Sequence, residues 1–232
     1  MKISLQKPLI IINFKTYLEA TGKKALNLAK QAEKASKKTG IQIAVSPQFA
    51  DINLISSNID LPVISQHIDA IEPGSHTGHI LVSSVKEAGA SGTLINHSER
   101  QLKLSEIDSI IKITKQNSLL SCVCVNNPAV SGAVSALNPD IVSIEPPELI
   151  GTGVAVSKAQ PEIVTNTVNI VKKINSKPMI LCGAGISQSE DISVAIKLGT
   201  KGVLVASAVV KAKDPFKLLC KFAKAAKKAI QE

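Results

Sequence analysis

Eight short apolar runs alternate with stretches of helical periodicity from one end of the chain to the other. The runs cover residues 8–12, 41–45, 62–65, 93–95, 119–125, 140–144, 178–181 and 202–205. Each is too short for a buried helix and rich in Ile, Val and Leu, so each reads as a strand. Residues 21–39 set Ala25, Leu28, Ala29, Ala32 and Ala35 on one side and lysines on the other, the pattern of an amphipathic helix. Further helices are expected over 51–57, 80–87, 105–116 with Ser105 as N-cap, 129–137, 161–175 entered through Pro161, 189–198 closed by Gly199, and 215–230. Strands that alternate with helices pair in parallel. Eight such units, with no linker or shift in composition, predict one α/β domain over residues 1–232, a closed (β/α)8 barrel of eight parallel strands. An open, doubly wound sheet is the competing topology. Its glycine-rich G-x-G-x-x-G turn is missing after the first strand, where the chain reads Asn13-Phe14-Lys15.

The residue types agree with that architecture. The chain is 44% hydrophobic and only 2% aromatic, without tryptophan, so its core must be aliphatic, as in fully buried parallel strands. So few aromatics also argue against a nucleic-acid partner read by base stacking. The net charge is +9, but lysines such as Lys23, Lys24, Lys30, Lys34, Lys37 and Lys38 fall on predicted solvated helix faces. A positive field of that kind still helps to collect a small anion. Cys122, Cys124, Cys182 and Cys220 form no C-x-x-C pair, so neither a disulfide framework nor a zinc site is expected. Cys122 and Cys124 lie two apart and share one strand face as small hydrophobes. With no leader pattern before the first strand and no run of membrane-spanning length, a cytoplasmic protein without a membrane partner is expected.

In a barrel, polar chemistry sits where strands end. The first run ends at Asn13, with Lys15 two residues on. The fourth leads into Asn96-His97-Ser98-Glu99-Arg100, which packs an imidazole, a hydroxyl, a carboxylate and the only arginine of the chain together. The sixth ends at Glu145, a carboxylate that is expensive to shield beside an apolar run unless it is used. Residues 145–153 then read Glu-Pro-Pro-Glu-Leu-Ile-Gly-Thr-Gly, stiff at one end and flexible at the other, as suits a lid over a phosphate. Gly183-Ala184-Gly185 and Ala206-Ser207 close the last two strands with small residues that let backbone N–H groups approach an anion. His76 and His79 lie three apart, but no third ligand is apparent and no metal is expected.

These motifs, in this order and at these strand ends, resemble the triosephosphate isomerase family over essentially the whole chain. The Asn13-Phe14-Lys15 triplet, the run His97–Arg100, and Glu145-Pro146 followed by Gly151-Thr152-Gly153 carry the likeness. The short length, residues 74–79 and Gly183-Ala184-Gly185 resemble its archaeal branch. The resemblance implies a compact TIM barrel that interconverts triose phosphates without a cofactor. It implies Glu145 as the base, His97 as the electrophile, and Lys15 as the cation facing the substrate. Asn13 would position the site and Ser98 and Glu99 would support it. Ile150, Gly151, Gly185, Ala206 and Ser207 would hold the phosphate. Thr77 and Gly78 match the loop tip that the family inserts beside a neighbouring subunit, so a homo-oligomer follows, with the archaeal likeness pointing to a tetramer and to helix faces around 105–137. The chain departs from the common family pattern at Gly185, at Ala206-Ser207, and at Glu148, where the lid usually carries tryptophan. An epimerase or aldolase barrel is the alternative reading, and a non-catalytic basic binding protein a more distant one.

Overall fold

Parallel pairing links every strand to its neighbours. A computed structural model of the chain describes residues 3–146, 149 and 155–231. Its strands are β1 (Leu9–Asn13), β2 (Gln42–Ser46), β3 (Ile64–Ser65), β4 (Gly92–Ile95), β5 (Leu120–Val125), β6 (Ile141–Ile144), β7 (Met179–Cys182) and β8 (Gly202–Val205). They form one eight-stranded sheet in the order β2-β1-β8-β7-β6-β5-β4-β3. A parallel bridge between Val45 and Val63, with Val45 N–H donating to Pro62 O at 3.1 Å, joins the two ends of that order and brings the sheet round into a (β/α)8 barrel. The open-sheet topology is therefore excluded.

The helices are α1 (Lys23–Thr39), α2 (Ile52–Ser56), α3 (Val82–Glu87), α4 (Leu104–Gln116), α5 (Pro128–Ser135), α6 (Val156–Ala159), α7 (Pro161–Ile174), α8 (Ser189–Lys197), α9 (Ser207–Val210) and α10 (Pro215–Gln231). Among the described residues none is long and apolar enough to cross a membrane. Ser105 is not the N-cap of α4. The helix starts one residue earlier, at Leu104, and the Glu106 carboxylate accepts the Lys103 N–H at 2.8 Å, so an acid from inside the first turn takes the capping role. The third strand is shorter than its apolar run because Pro62 has no N–H for the ladder and Val63 contributes a single bridge. The four-residue helices α6 and α9 are too short to show a period, and neither stood out in the sequence.

Period-two alternation splits the strand residues into two cores. Leu9, Ile11, Ala44, Ile64, Leu94, Cys122, Cys124, Ile141, Met179, Leu181 and Leu204 fill the barrel interior. Their neighbours Ile10, Ile12, Ile43, Val45, Ile95, Val123, Val142, Ile180 and Val203 point outward and pack beneath the helices. Burying each such side chain stabilises the fold by about 1.5–3 kcal/mol. The interior thiols behave as hydrophobes: burial raises Cys122 and Cys124 well above the ordinary thiol range, so both stay neutral. All four cysteines are free.

Candidate active site

The alternation that fills the barrel also builds the site. Following the inward row of β1 from Leu9 through Ile11, the next inward residue is Asn13; following β6 from Ile141 through Ser143, it is Glu145. Glu145 N–H donates to Val125 O at 2.7 Å, extending the ladder one residue past β6. Its side chain is 3% exposed. Cys124 Sγ and Ser143 Oγ approach Glu145 Oε1 at 3.5 and 3.4 Å as donors. The other oxygen, Oε2, has no hydrogen-bond donor among the described residues and lies 3.4 Å from His97 Nε2. Gly183 makes this placement possible: a Cβ there would fall 2.4 Å from Glu145 Cγ.

Backbone in the left-handed region brings the remaining groups over the barrel end. Lys15 (φ 46°) turns immediately after β1, and its N–H donates to Asn13 Oδ1 at 2.9 Å. Lys15 Nζ then reaches Glu99 Oε1 at 2.6 Å. Asn96 (φ 59°) makes the corresponding turn after β4; its Nδ2 donates to Cys124 O at 2.9 Å and its Oδ1 accepts from Leu102 N–H at 2.8 Å. His97 is thereby presented with Nε2 toward Glu145, while Glu99 N–H donates to its Nδ1 at 3.2 Å. Arg100 bends away from this group and reaches Asp69 Oδ1 at 3.5 Å.

A cavity of about 350 Å³ lies over these residues, lined by Asn13, Lys15, His97, Glu145, Gly185, Ala206 and Ser207, with Tyr17 and Lys211 also on its wall. Ser98 is set apart from it. Its buried Oγ has no hydrogen-bond partner among the described residues and lines a second cavity of about 280 Å³, which Glu145 also borders. Ile150, Gly151 and Glu148 lie outside the described residues. His76 and His79 meet edge to face with ring centroids 5.8 Å apart. Among the described residues no cluster of His, Cys, Asp and Glu is arranged to hold a metal ion.

The sequence profile of triosephosphate isomerase matches residues 8–226. The chain belongs to the triosephosphate isomerase family. It is 52% identical over 215 residues to the triosephosphate isomerase of Methanothermus fervidus, covering 93% of this chain and 97% of that protein. It is 53% identical to that of Methanobrevibacter smithii, covering 91% and 95%, and 54% identical to that of Methanocaldococcus jannaschii, covering 89% and 94%.

The electrostatics suit a triosephosphate isomerase site. Burial pushes the Glu145 carboxyl above the ordinary carboxylate range; His97, the Cys124 thiol, Lys15 and the Ser143 hydroxyl pull part of the way back. A carboxylate held that way is a stronger base than one in water. Several residues that the sequence reading passed over also shape the site. Gln66 Nε2 donates to Lys15 O at 2.9 Å and to Ser46 O at 3.1 Å, pinning the Lys15 turn to the end of β2. Asp191 Oδ2 accepts the N–H groups of Ser187 and Gln188 at 2.9 and 2.8 Å, which fixes the turn after Gly185. The same carboxylate binds Lys158 Nζ at 2.7 Å. Burial opposes its ionisation, but Lys158 and the two N–H groups outweigh it and hold the carboxyl low. Of these, Asp191 had a legible signal, since an acid in the first turn of a helix is a capping pattern. Gln66 and Ser143 depend on contacts across the barrel; Gly183 and Asn96 were marked in the sequence as parts of strand-end turns, but their contacts with Glu145 and Cys124 were not.

Proposed function

We propose that this chain, as one barrel domain over residues 1–232, interconverts dihydroxyacetone phosphate and D-glyceraldehyde 3-phosphate through an enediolate, without a cofactor. That reaction serves glycolysis and gluconeogenesis, and the cytoplasm is its proposed location. The observation that carries the reading is the pairing of buried Glu145 Oε2 with His97 Nε2 at 3.4 Å, beside Lys15 on the wall of one cavity. A glutamate base, a neutral histidine and a closing loop are established features of this enzyme family and are taken from it.

The local geometry supports each role. Oε1 of Glu145 faces the Cys124 and Ser143 donors, so Oε2 is the oxygen left to remove a proton from the carbon beside the carbonyl. Glu99 N–H occupies the Nδ1 lone pair of His97, which leaves the proton of the neutral ring on Nε2, ready to donate to the developing oxyanion. Lys15 is held extended by Glu99 and supplies positive charge to the same wall. Backbone N–H groups of Gly185, Ala206 and Ser207, with Ile150 and Gly151 from the proposed lid over 145–153, would receive the phosphate. A closed lid excludes water, which strengthens the base and protects the intermediate.

A Schiff-base aldolase is disfavoured because Lys15 lies in the loop past β1 and not in a buried strand, with its Nζ bound to Glu99 Oε1 at 2.6 Å. A coupled assay on purified protein decides the matter. Turnover of triose phosphates is expected, and Lys15→Met is expected to weaken binding of a phosphorylated enediolate mimic sharply. Absence of turnover in the intact protein overturns the reading. A homotetramer is proposed from the archaeal likeness, with Thr77 and Gly78 at the exposed tip of the loop closed by Asp69 and Ile80. Helix faces within 105–137 would form the second interface. Light scattering across protein concentrations separates a tetramer from a dimer.

A further inference from the structure

Among the described residues, two lysines stand on the cavity wall, and they differ in what balances them. Lys15 is matched by Glu99 at 2.6 Å, so that pair is close to neutral as seen from the cavity. The Glu145 carboxyl lines the same wall. Lys211, among the described residues, has no carboxylate partner; its Nζ rests 4.6 Å above the centroid of the Tyr17 ring. Tyr17 is the only tyrosine in the chain. A ring face attracts an ammonium through its quadrupole without cancelling the charge. The aromatic ring therefore holds Lys211 in place and leaves it free to meet an anion.

The positions of both residues are set by the loops that border the cavity. Tyr17 follows the Lys15 turn at the end of β1, where Ala20 N–H donates to Tyr17 O at 2.9 Å and anchors it in a short turn. Lys211 ends the short helix after β8, and its N–H donates to Ser207 O at 2.9 Å. Strands β1 and β8 are neighbours, so these two loops stand side by side at the cavity mouth. The lysine is thus tied through its own backbone to Ser207, one of the residues proposed to receive the phosphate. A dianionic substrate entering a site that already holds the Glu145 carboxyl is best met by a cation not matched to a neighbouring carboxylate.

We propose that Lys211, held over the Tyr17 ring, is a second cationic contact for the substrate's phosphate and sets the preference of the site for phosphorylated over phosphate-free trioses. This rests on the isomerase reading. The test compares the intact protein with Lys211→Met, Lys211→Arg and Tyr17→Leu, using triose phosphate, phosphate-free glyceraldehyde and inorganic phosphate as probes. For an exposed cation the expected effect of Lys211→Met is about a three- to fivefold rise in KM for triose phosphate and in Kd for inorganic phosphate. The ratio of kcat/KM for the phosphorylated over the phosphate-free substrate falls by the same factor. The dependence of kcat/KM on ionic strength becomes shallower. Lys211→Arg restores most of the loss, and Tyr17→Leu shows a smaller loss in the same direction. Unchanged phosphate affinity in Lys211→Met, or equal losses for both trioses, overturns the proposal. Failure of the intact protein to turn over triose phosphate sinks the isomerase reading instead, while inorganic phosphate binding still tests Lys211.

Discussion

The two ends of the barrel interior are made from the same inward rows of the same strands, yet they solve opposite problems. Toward the strand starts, Leu9, Ile11, Ile141, Met179 and Leu181 pack into an aliphatic plug with little or no exposure. Toward the strand ends, the rows continue as Asn13, Ser143, Glu145 and Gly183, and the filling gives way to a cavity. Backbone strain follows the same divide. Ser118 and Asn138 also have positive φ, but each sits just past a helix end, where that conformation is an ordinary way to stop a helix. Lys15, Asn96 and Ala184 instead follow strands, and there the strained turn aims a side chain or amide at the cavity. One end spends its residues on stability, and the other holds a desolvated carboxylate and strained turns that the plug must support.

Substitutions that act on one end only should break this pairing apart. The largest effect is expected from Glu145→Gln, which removes the base: kcat falls by about 10²–10⁴-fold. Because burial raises the Glu145 carboxyl, its ionisation costs stability above its folded titration range, and this cost is relieved as pH falls toward the ordinary carboxylate range. Glu145→Gln is therefore expected to melt at a higher temperature than the parent near neutral pH, with the gain vanishing in acid. An equal difference at both pH values would mean that the carboxylate is not strained by burial. At the opposite end, Leu181→Ala should cost about 2–5 kcal/mol in denaturant unfolding while kcat changes little. A large kcat loss there would show that plug and site are not separable.

Gly183→Ala probes the boundary between the two ends. Its Cβ would meet Glu145 Cγ at 2.4 Å, so the base must shift, and a displacement near 1 Å costs about 10²-fold in turnover. Steady-state kinetics beside a melting curve should show the activity falling far more than the stability. The smallest effect is expected from Ser143→Ala. Loss of a 3.4 Å donor to Oε1 lets the Glu145 carboxyl rise further, so the acid limb of the kcat/KM profile moves to higher pH. A limb that stays put would remove Ser143 from the positioning of the base.

Much of the architecture was legible because it depends on short-range patterns. Apolar runs of strand length separated by 3.6-period segments specified the number of units and their parallel pairing, and Gly199 and Pro161 marked helix ends where they were expected. The Ser105 reading failed because two capping chemistries compete at that helix start, and the acid at Glu106 reaches the orphan N–H. The residues converging on the cavity were legible because reactive types at strand ends are uncommon beside aliphatic runs. Their supports were not. Gln66 is one amide among many in a long loop until it is seen bonded to Lys15 O and Ser46 O. Ser143 looks like a small residue in a strand until its hydroxyl is found on the base.

By itself, then, the sequence determined the alternation, the aliphatic core and which residues stand at the strand ends, since each follows from local periodicity and side-chain chemistry. Only the tertiary structure decided how those ends meet. Closure through Val45 and Val63 brings Lys15, His97 and Glu145, far apart in the chain, to one cavity. It also decided which lysine is matched by an acid and which rests on a ring, because charge balance depends on distances through space.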